Sequence, residues 1–211
     1  MKALRRWENW HIGTPHHSIG RIERMMSDQP QPVPHIILLS GPRQVGKSTL
    51  CQKLVTHLRE DTVSVAGLLT IHTGAHDLEV MELHSGEQYP LTLPFDDGVG
   101  AELGRFRMDG AALSRGLLSL QSVLPTDVLI VDELGPLEFR LGRGWLPVLN
   151  LLRADCCRVA LLVVRPELLV EALERLPEPI ATVITVTSEN RDRVLETLVH
   201  LAKDGAQGWC E

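Results

Sequence analysis

The chain has 211 residues, of which 44% are hydrophobic and 23% are charged, so its composition is that of a globular protein with one sizeable core. Its 21 basic and 27 acidic side chains give a formal net charge of −6, which argues against nucleic acid or an anionic lipid surface as the main partner. The longest apolar runs, such as VALLVV at 159–164, fall far short of the roughly 18 residues that a membrane helix needs. We therefore expect a cytoplasmic protein with no membrane or nucleic-acid partner.

The N-terminal segment differs in character from the rest of the chain. Residues 1–34 end in SDQPQPVP, whose prolines and polar spacing indicate a linker. We therefore expect two parts: residues 1–34, an N-terminal arm with a Pro-rich linker, and residues 35–211, the main domain. Within the arm, a short helix and a disordered tail are both compatible with the sequence.

The main domain begins with a strand, a glycine-rich loop and a helix. The run HIILLS at His35–Ser40 predicts a buried parallel strand that stops at Gly41. Further on, Leu50, Leu54 and Leu58 recur every four residues, which predicts a helix with one apolar face. In this context the loop between them lies at a helix N-terminus, where positive charge favours a bound anion.

That loop reads GPRQVGKST and matches the Walker A pattern G-x-x-x-x-G-K-[ST]. In such loops the backbone N–H groups surround nucleotide phosphates, Lys47 would reach the β and γ oxygens, and the Ser48 hydroxyl would ligate Mg²⁺. A glycine-rich turn without a ligand is the alternative interpretation. The predicted nucleotide-binding residues of the loop are Gly41, Pro42, Arg43, Gln44, Val45, Gly46, Lys47, Ser48 and Thr49.

The stretch after this helix departs from simple alternation of strands and helices. VAGLLTIHTG and LEVMELHSGEQYPLTL predict a strand and a β-hairpin inserted at the edge of the sheet. Asp109 is a good N-cap for a helix that runs to about Val123. Arg105 and Arg107 precede that helix and are candidates for an arginine finger, although two arginines on a loop are more often solvated.

A second buried strand is predicted within TDVLIVDELGPLEF, Thr126–Phe139. Its aliphatic run ends at Asp132 and Glu133, which should face the phosphate loop because ligands of open α/β sheets bind beyond the carboxyl ends of the strands. Asp132 would hold Mg²⁺ in the Walker B role, and Glu133 would orient or deprotonate a water aimed at the γ-phosphate. Alternatively, Glu133 caps a turn or pairs with an arginine.

Two more strand and helix units complete the pattern. The strands are expected at Arg158–Val164 and Ala181–Val186. Pro166 opens the first helix, and the helices have apolar positions at Leu168, Leu169, Ala172 and Leu173, and at Val194, Leu198, Leu201 and Ala202. This alternation predicts an α/β three-layer sandwich with a mostly parallel sheet.

Several motifs together resemble one known family. In chain order they are GPRQVGKSTL, GLLT, GRFRMDGAAL, VLIVDELGPLEF with GRGWLPVL, and TSENRDRV. They resemble the small P-loop nucleoside-triphosphatase family first described from thermophiles, which includes the human cancer-related nucleoside triphosphatase. The resemblance covers about residues 35–203 and implies a RecA-like P-loop NTPase fold with slow, Mg²⁺-dependent hydrolysis of broad base specificity.

The resemblance also implies roles for individual residues. It leaves Lys47, Ser48, Asp132 and Glu133 in the roles given above, and it places Asn190 and Arg191 at the nucleotide base. The chain departs from the family at Arg43 and Gln44, where small residues are frequent, and residues 1–34 have no counterpart.

The expected activity is therefore hydrolysis of ATP, GTP or another NTP to NDP and phosphate, with Mg²⁺ as cofactor and with Lys47 and Glu133 as catalytic residues. Turnover should be at or below about 1 s⁻¹ unless an arginine finger acts in cis, because such a finger is worth roughly 10³ to 10⁵ in rate. The candidates in cis are Arg43, Arg105, Arg107 and Arg165.

Two alternative functions use the same loop. A nucleoside, nucleotide or small-molecule kinase would pass the phosphoryl group to an acceptor, but the sequence has no arginine-rich lid of the kind that closes over two substrates. A nucleotide-controlled switch or assembly partner would bind another protein in one nucleotide state. No motif points to a particular base or protein partner.

Overall fold

The described part of the chain covers most of the predicted main domain. The computed structural model describes residues 34–94, 106–153, 155–177 and 182–207, and the statements below concern these ranges. The predicted arm and linker, residues 1–34, lie outside them except for Pro34, and so does Arg105.

The strands lie close to the apolar runs from which they were predicted. Within the described ranges, seven strands form one sheet: β1 (His35–Ser40), β2 (Val65–His72), β3 (Leu78–Glu82), β4 (Gln88–Pro90), β5 (Thr126–Leu134), β6 (Cys157–Val164) and β7 (Thr182–Thr185).

The sheet is mostly parallel, with a hairpin at one edge. Its order is β4-β3-β2-β5-β6-β1-β7. The strands from β2 to β7 in this order pair in parallel, whereas β3 runs antiparallel to β2, and β4 antiparallel to β3. The predicted parallel sheet and edge hairpin are thus confirmed.

Helices connect and cover the strands. The described helices are α1 (Lys47–Glu60), α2 (Gly110–Ser122), α3 (Pro136–Phe139), α4 (Val148–Leu151), α5 (Leu169–Arg175) and α6 (Arg191–Gln207). The predicted N-cap of α2 is present, because the Asp109 carboxylate accepts a hydrogen bond from the Ala111 N–H at 2.8 Å. A 3₁₀ turn at Pro166–Leu168 precedes α5.

The predicted apolar face of α5 was partly wrong. Leu168 and Ala172 are buried as expected, whereas Leu173 is 38% exposed. At about 100° per residue, Leu173 lies about 140° round the helix from Leu168, so a face centred on Leu168 and Ala172 leaves Leu173 at its margin.

Two apolar cores lie on opposite faces of the sheet. The alternation of β1 sends Ile37 and Leu39 to one core and Ile36 and Leu38 to the other. The first core also contains residues of α1 and α6: Leu50, Leu54, Leu58, Val194, Leu198 and Ala202. The second contains Ala112 and Leu120 of α2, Ala172 of α5, and Trp145, which lies between α3 and α4. Complete burial of one leucine side chain contributes roughly 1.5–3 kcal/mol. The result is a three-layer sandwich, as predicted.

The order of the central strands determines which loops meet. Strand β6 lies between β1 and β5 and pairs in parallel with both. The carboxyl ends of these three strands therefore bring together the loop after β1, the Asp132–Glu133 end of β5 and the residue after β6, which is Arg165. We call the space at the carboxyl ends of these three strands the crevice.

No helix among the described residues is long and apolar enough to span a membrane.

Candidate active site

The phosphate loop, Gly41–Thr49, has a backbone that requires glycine at two positions. Gly41 has φ 151°, and a Cβ there would lie 2.5 Å from the Val186 carbonyl oxygen. Gly46 has a left-handed backbone, with φ 98°, immediately before α1, and a Cβ there would lie 3.1 Å from Nη1 of Arg191. Both sites favour glycine because it lacks Cβ and tolerates these φ angles. The loop can therefore lead directly into the N-terminus of α1, where unpaired N–H groups favour an anion.

Lys47 is folded back over its own loop. Its Nζ donates hydrogen bonds to the carbonyl oxygens of Gly41, at 2.8 Å, and Pro42, at 2.9 Å. Partial burial lowers the pKa of Lys47, and the positive charge of Arg165 lowers it further, while the carboxylates Glu133 and Asp132 raise it. The phosphate loop and the end of β5 are therefore electrostatically coupled.

Asp132 is a buried carboxyl group with an unused oxygen. Its side chain is 3% exposed, and its Oδ2 has no hydrogen-bond partner among the described residues. Burial raises the pKa of Asp132 to about 7, and the negative charge of Glu133 raises it as well, whereas a hydrogen bond with Ser48 and the charge of Lys47 lower it. A buried carboxyl oxygen beside a serine hydroxyl is the oxygen donor set that a hard divalent cation prefers.

Glu133 makes an ion pair with Arg165. The Arg165 Nε donates to Oε1 of Glu133, and the two side chains are 21% and 24% exposed. Of the two interpretations of Glu133 given above, pairing with an arginine is the one seen here. This pairing leaves Oε2 of Glu133 for another contact, so it is compatible with a role at a water molecule.

A small cavity adjoins this ion pair. Its volume is about 60 Å³, enough for a few water molecules. Glu133, Arg165 and Thr70 contribute polar groups to its wall, and Leu78, Leu91 and Trp145 contribute apolar ones. Glu133 therefore lines a space in which ordered water fits.

Glu138 was not identified from the sequence. It is 3% exposed, and its oxygens accept backbone hydrogen bonds from Gly135, at 2.8 Å, and Trp145, at 2.9 Å. Burial raises the pKa of Glu138 to about 7. These two bonds close the segment 135–145, which directly follows the end of β5 that carries Asp132 and Glu133. The sequence signal for Glu138 was the spacing of Gly-Pro-Leu-Glu. A glutamate at the third position of a helix can accept a hydrogen bond from the backbone N–H of the residue before the helix, here Gly135.

The two residues expected at the base lie at the start of α6 and are held differently. The Asn190 side chain accepts from the Thr187 N–H at 2.8 Å and donates to the Thr185 carbonyl at 2.9 Å, so it fixes the turn between β7 and α6. Arg191 places its guanidinium beside Gly46 of the phosphate loop. The structure therefore brings Arg191, more than the Asn190 amide, to the loop.

The four candidates for a cis arginine finger occupy different positions. Arg43 is exposed, Arg107 is half-buried beside α2, and Arg105 lies outside the described residues. Within the described part of the chain, only Arg165 of these four has a hydrogen bond or ion pair with Glu133.

Comparison with known proteins gives a family. A sequence model of the family described as NTPase matches residues 36–199. Nucleoside-triphosphatase THEP1 of Methanopyrus kandleri is 29% identical over 175 residues, which span 78% of this chain and 95% of that protein. The protein of the same name from Methanothermobacter thermautotrophicus is 28% identical over 174 residues, which span 80% of this chain and 96% of that protein. The one from Pyrococcus abyssi is 30% identical over 109 residues, which span 48% of this chain and 59% of that protein.

A solved structure has the same fold. The crystal structure of THEP1 from the hyperthermophile Aquifex aeolicus superposes with a TM-score of 0.58 at 20% sequence identity. The match covers 80% of this chain and 99% of that one.

Proposed function

This chain belongs to the NTPase family, and we propose that it hydrolyses nucleoside triphosphates to the diphosphate and phosphate in the crevice. The observation that carries the proposal is the meeting of three groups at one edge of the sheet: the phosphate loop with Lys47, the Ser48–Asp132 pair, and Glu133. Relatives that align along nearly their whole length are named nucleoside-triphosphatases, which supports the same activity here.

The phosphate loop and α1 would bind the triphosphate. Backbone N–H groups of Gly41–Thr49 would surround the phosphates, as glycine-rich loops at helix N-termini do. Lys47 would exchange its contacts with the Gly41 and Pro42 carbonyls for the β and γ oxygens of the nucleotide. The partial burial of its ammonium strengthens that interaction because screening by water is reduced.

Ser48 and Asp132 would hold a divalent cation, which we propose to be Mg²⁺. The Ser48 hydroxyl and the Asp132 Oδ2, which has no hydrogen-bond partner in the described part of the chain, fit a cation that keeps most of its water and takes few protein ligands. When bound, Mg²⁺ neutralises charge on the β and γ oxygens of the nucleotide.

Glu133 would orient the attacking water and accept its proton. The water oxygen forms the new bond to the γ-phosphorus, the bond from that phosphorus to the β–γ bridging oxygen breaks, and the NDP leaves with the electron pair. The cavity of about 60 Å³ beside Glu133 supports this role because it has room for water. Positioning and charge stabilisation account for most of the rate in such transfers.

The base would lie near Arg191, with Asn190 holding the turn beneath it. A guanidinium plane stacks on any base, so an arginine contact supports broad base tolerance. We propose turnover at or below about 1 s⁻¹ for the isolated chain, since P-loop hydrolases that work without a partner's arginine are slow even where an arginine of their own chain acts, at about 10⁻² s⁻¹.

The wider setting of the domain is also a proposal. Residues 1–34 would form an N-terminal arm and linker, and residues 35–211 the NTPase domain. The free thiols of Cys51, Cys156 and Cys157 support a cytoplasmic location, because structural cysteines outside the cytosol usually form disulfides. The net charge of −6 supports a free nucleotide, rather than nucleic acid, as the partner.

Phosphate release from a panel of ATP, GTP, CTP, UTP and the dNTPs tests the proposal, with excess Mg²⁺ and with EDTA as control. We expect slow release from several of them, lost when EDTA removes the metal. Release from a single base only would contradict broad base tolerance. Nucleotide binding without phosphate release from any member of the panel would contradict hydrolysis and would favour a kinase or a switch.

A further inference from the structure

Arg165 occupies a central position in the crevice. It follows β6 directly, and β6 lies between the strand of the phosphate loop and the strand of Asp132. Its backbone is held in place because Pro166 begins the 3₁₀ turn and the Leu168 N–H donates to the Arg165 carbonyl at 2.9 Å. The side chain therefore starts from a fixed point between the phosphate loop and the carboxylates of β5.

The guanidinium uses only part of its hydrogen-bonding capacity. Its Nε donates to Oε1 of Glu133. Within the described part of the chain, this is the hydrogen bond that the guanidinium makes, and its terminal nitrogens Nη1 and Nη2 donate none. An arginine that binds a carboxylate through one edge of its planar fork retains donors for a second anion.

The surrounding charges favour an anion next to Arg165. Arg165 follows β6, and β6 pairs with β1, which leads into the phosphate loop with Lys47, so the crevice contains both cations. Two cations that repel each other across a partly buried space gain stability from an anion between them. The lysine of such a loop reaches the β and γ phosphates of a bound nucleotide, so the γ-phosphate is the anion that we expect between Lys47 and Arg165.

We propose that Arg165 couples the γ-phosphate to Glu133: its terminal nitrogens bind γ-phosphate oxygens while its Nε holds the Glu133 carboxylate in position for the attacking water. This inference rests on the proposed function and deepens it. It makes Arg165 a positioning residue for Glu133 and the contact that distinguishes an NTP from an NDP.

The chain contains a matched control at the other end of the same strand. Arg158 lies near the start of β6 and pairs with Asp127 of β5, 3.5 Å away, so it links the same two strands on the edge opposite to the crevice. Arg158→Met also removes an arginine that pairs with a carboxylate of β5, together with its hydrogen bond to the Ala206 carbonyl, without touching the nucleotide site. Arg165→Met and Arg165→Lys are the test variants.

Titration calorimetry with ADP and with the β,γ-imido analogue of ATP, both with Mg²⁺, measures the contact with the γ-phosphate. In Arg165→Met we expect the analogue to bind about tenfold more weakly or worse while ADP binding stays unchanged, because a charge-assisted hydrogen bond to the γ-phosphate is lost. Arg165→Lys should fall between wild type and Arg165→Met, since lysine keeps the charge without the fork. Arg158→Met should bind both nucleotides as the wild type does.

Phosphate release measures the coupling to Glu133. We expect Arg165→Met to lower turnover by about 10² or more, in the range observed when one transition-state donor is removed. In the Glu133→Gln background, Arg165→Met should lower turnover much less than it does in the wild-type background. The reason is that the arginine acts through a glutamate that this background has already removed. The weaker binding of the analogue relative to ADP should persist in the double variant.

The outcomes separate this inference from the proposed function. Wild-type protein that releases no phosphate from ATP or GTP would refute hydrolysis itself. If Arg165→Met hydrolyses ATP at the wild-type rate, the role of Arg165 is overturned and the proposed function is not. An equal loss of affinity for the analogue and for ADP in Arg165→Met has the same meaning. If Arg165→Met fails to fold, as shown by the loss of its cooperative urea transition, unchanged analogue-to-ADP discrimination in Arg165→Lys overturns the inference equally well.

Discussion

Two buried carboxyl groups near the crevice have pKa values that burial raises to about 7, but they are held in different ways. Both oxygens of Glu138 accept backbone N–H groups. Asp132 instead has an Oδ2, beside Ser48, that no other residue in the described ranges bonds. Glu138 is therefore a structural residue that fixes the segment after β5, whereas Asp132 retains the capacity to bind a cation.

Glu138 should make stability depend on pH. Its folded pKa of about 7 lies above the ordinary value of 4.5, so the folded state binds more protons than the unfolded state between these values. The resulting stability is fully present below about pH 4.5 and is lost as the pH rises through about 7. We expect the unfolding free energy of the wild type to fall over this window by up to about 3 kcal/mol from this residue, at 1.36 kcal/mol per pKa unit.

Urea unfolding of Glu138→Gln at a series of pH values checks this. The variant should be less stable overall, because an amide can accept from only one of the two N–H groups, but its stability should fall less steeply from pH 4.5 to 7 than that of the wild type. Glu174→Gln, at an exposed position of α5, is the control. An identical pH slope in the wild type and Glu138→Gln would show that Glu138 is not the group responsible.

The phosphate-loop residues could be predicted from the sequence, whereas their partners could not. Lys47 and Ser48 follow from a local pattern whose spacing is fixed by the loop itself. The Glu133–Arg165 pair joins residues 32 positions apart, and only the pairing of β5 with β6 brings them together. From the sequence, Glu133 could either orient the attacking water or pair with an arginine or cap a turn. Both interpretations use the same carboxylate, so the sequence left them open.

At the scale of elements, the apolar runs predicted the strands well and the shortest helices not at all. Strand β1 has the predicted bounds, and β6 and β7 differ from prediction by one or two residues at their ends. Helices α3 and α4 have only four residues each, too few for any periodicity to show. These helices shape the segment after Glu133, so hydrophobic periodicity could not predict that part of the site, and the capping spacing of Gly-Pro-Leu-Glu was the signal that pointed to it.

The contact between β2 and β5 depends on one glycine. Gly67 lies opposite Ile130 in the register of these strands, with φ 152°, and a Cβ there would lie 2.0 Å from the Ile130 carbonyl oxygen. Because this atom belongs to the backbone of a central strand, it cannot move aside cheaply. Gly67→Ala should cost about 3 kcal/mol or more of unfolding free energy, from backbone strain and overpacking together.

Gly86→Ala provides the matched control in the β3–β4 turn. Gly86 also has a positive φ, 76°, but a Cβ there meets no atom within 4 Å. Its substitution should cost only the left-handed conformation, about 1–2 kcal/mol. Urea midpoints with unchanged m-values give both free energies. Equal losses in the two variants would refute the close approach of β2 and β5 at Gly67.

At the scale of the whole molecule, the crevice collects residues from distant parts of the chain. The phosphate loop follows β1, Asp132 and Glu133 end β5, Arg165 follows β6, and Arg191 begins α6. All of them lie within the residues matched by the NTPase family, 36–199. The parallel order of β1, β6 and β5 is what turns separate motifs into one site, so the fold and the proposed chemistry depend on the same strand pairings.

The measurement that tests the account most directly compares nucleotide binding and phosphate release in the wild type, Lys47→Ala and Glu133→Gln, with ATP and GTP in the presence of Mg²⁺. Lys47→Ala should bind both nucleotides much more weakly, because it loses the cation that contacts their β and γ oxygens. Glu133→Gln should bind them nearly as the wild type does but release phosphate at least about tenfold more slowly, since a carboxamide cannot accept the proton of the water. Equal phosphate release by the wild type and Glu133→Gln would contradict the account and remove Glu133 from the mechanism.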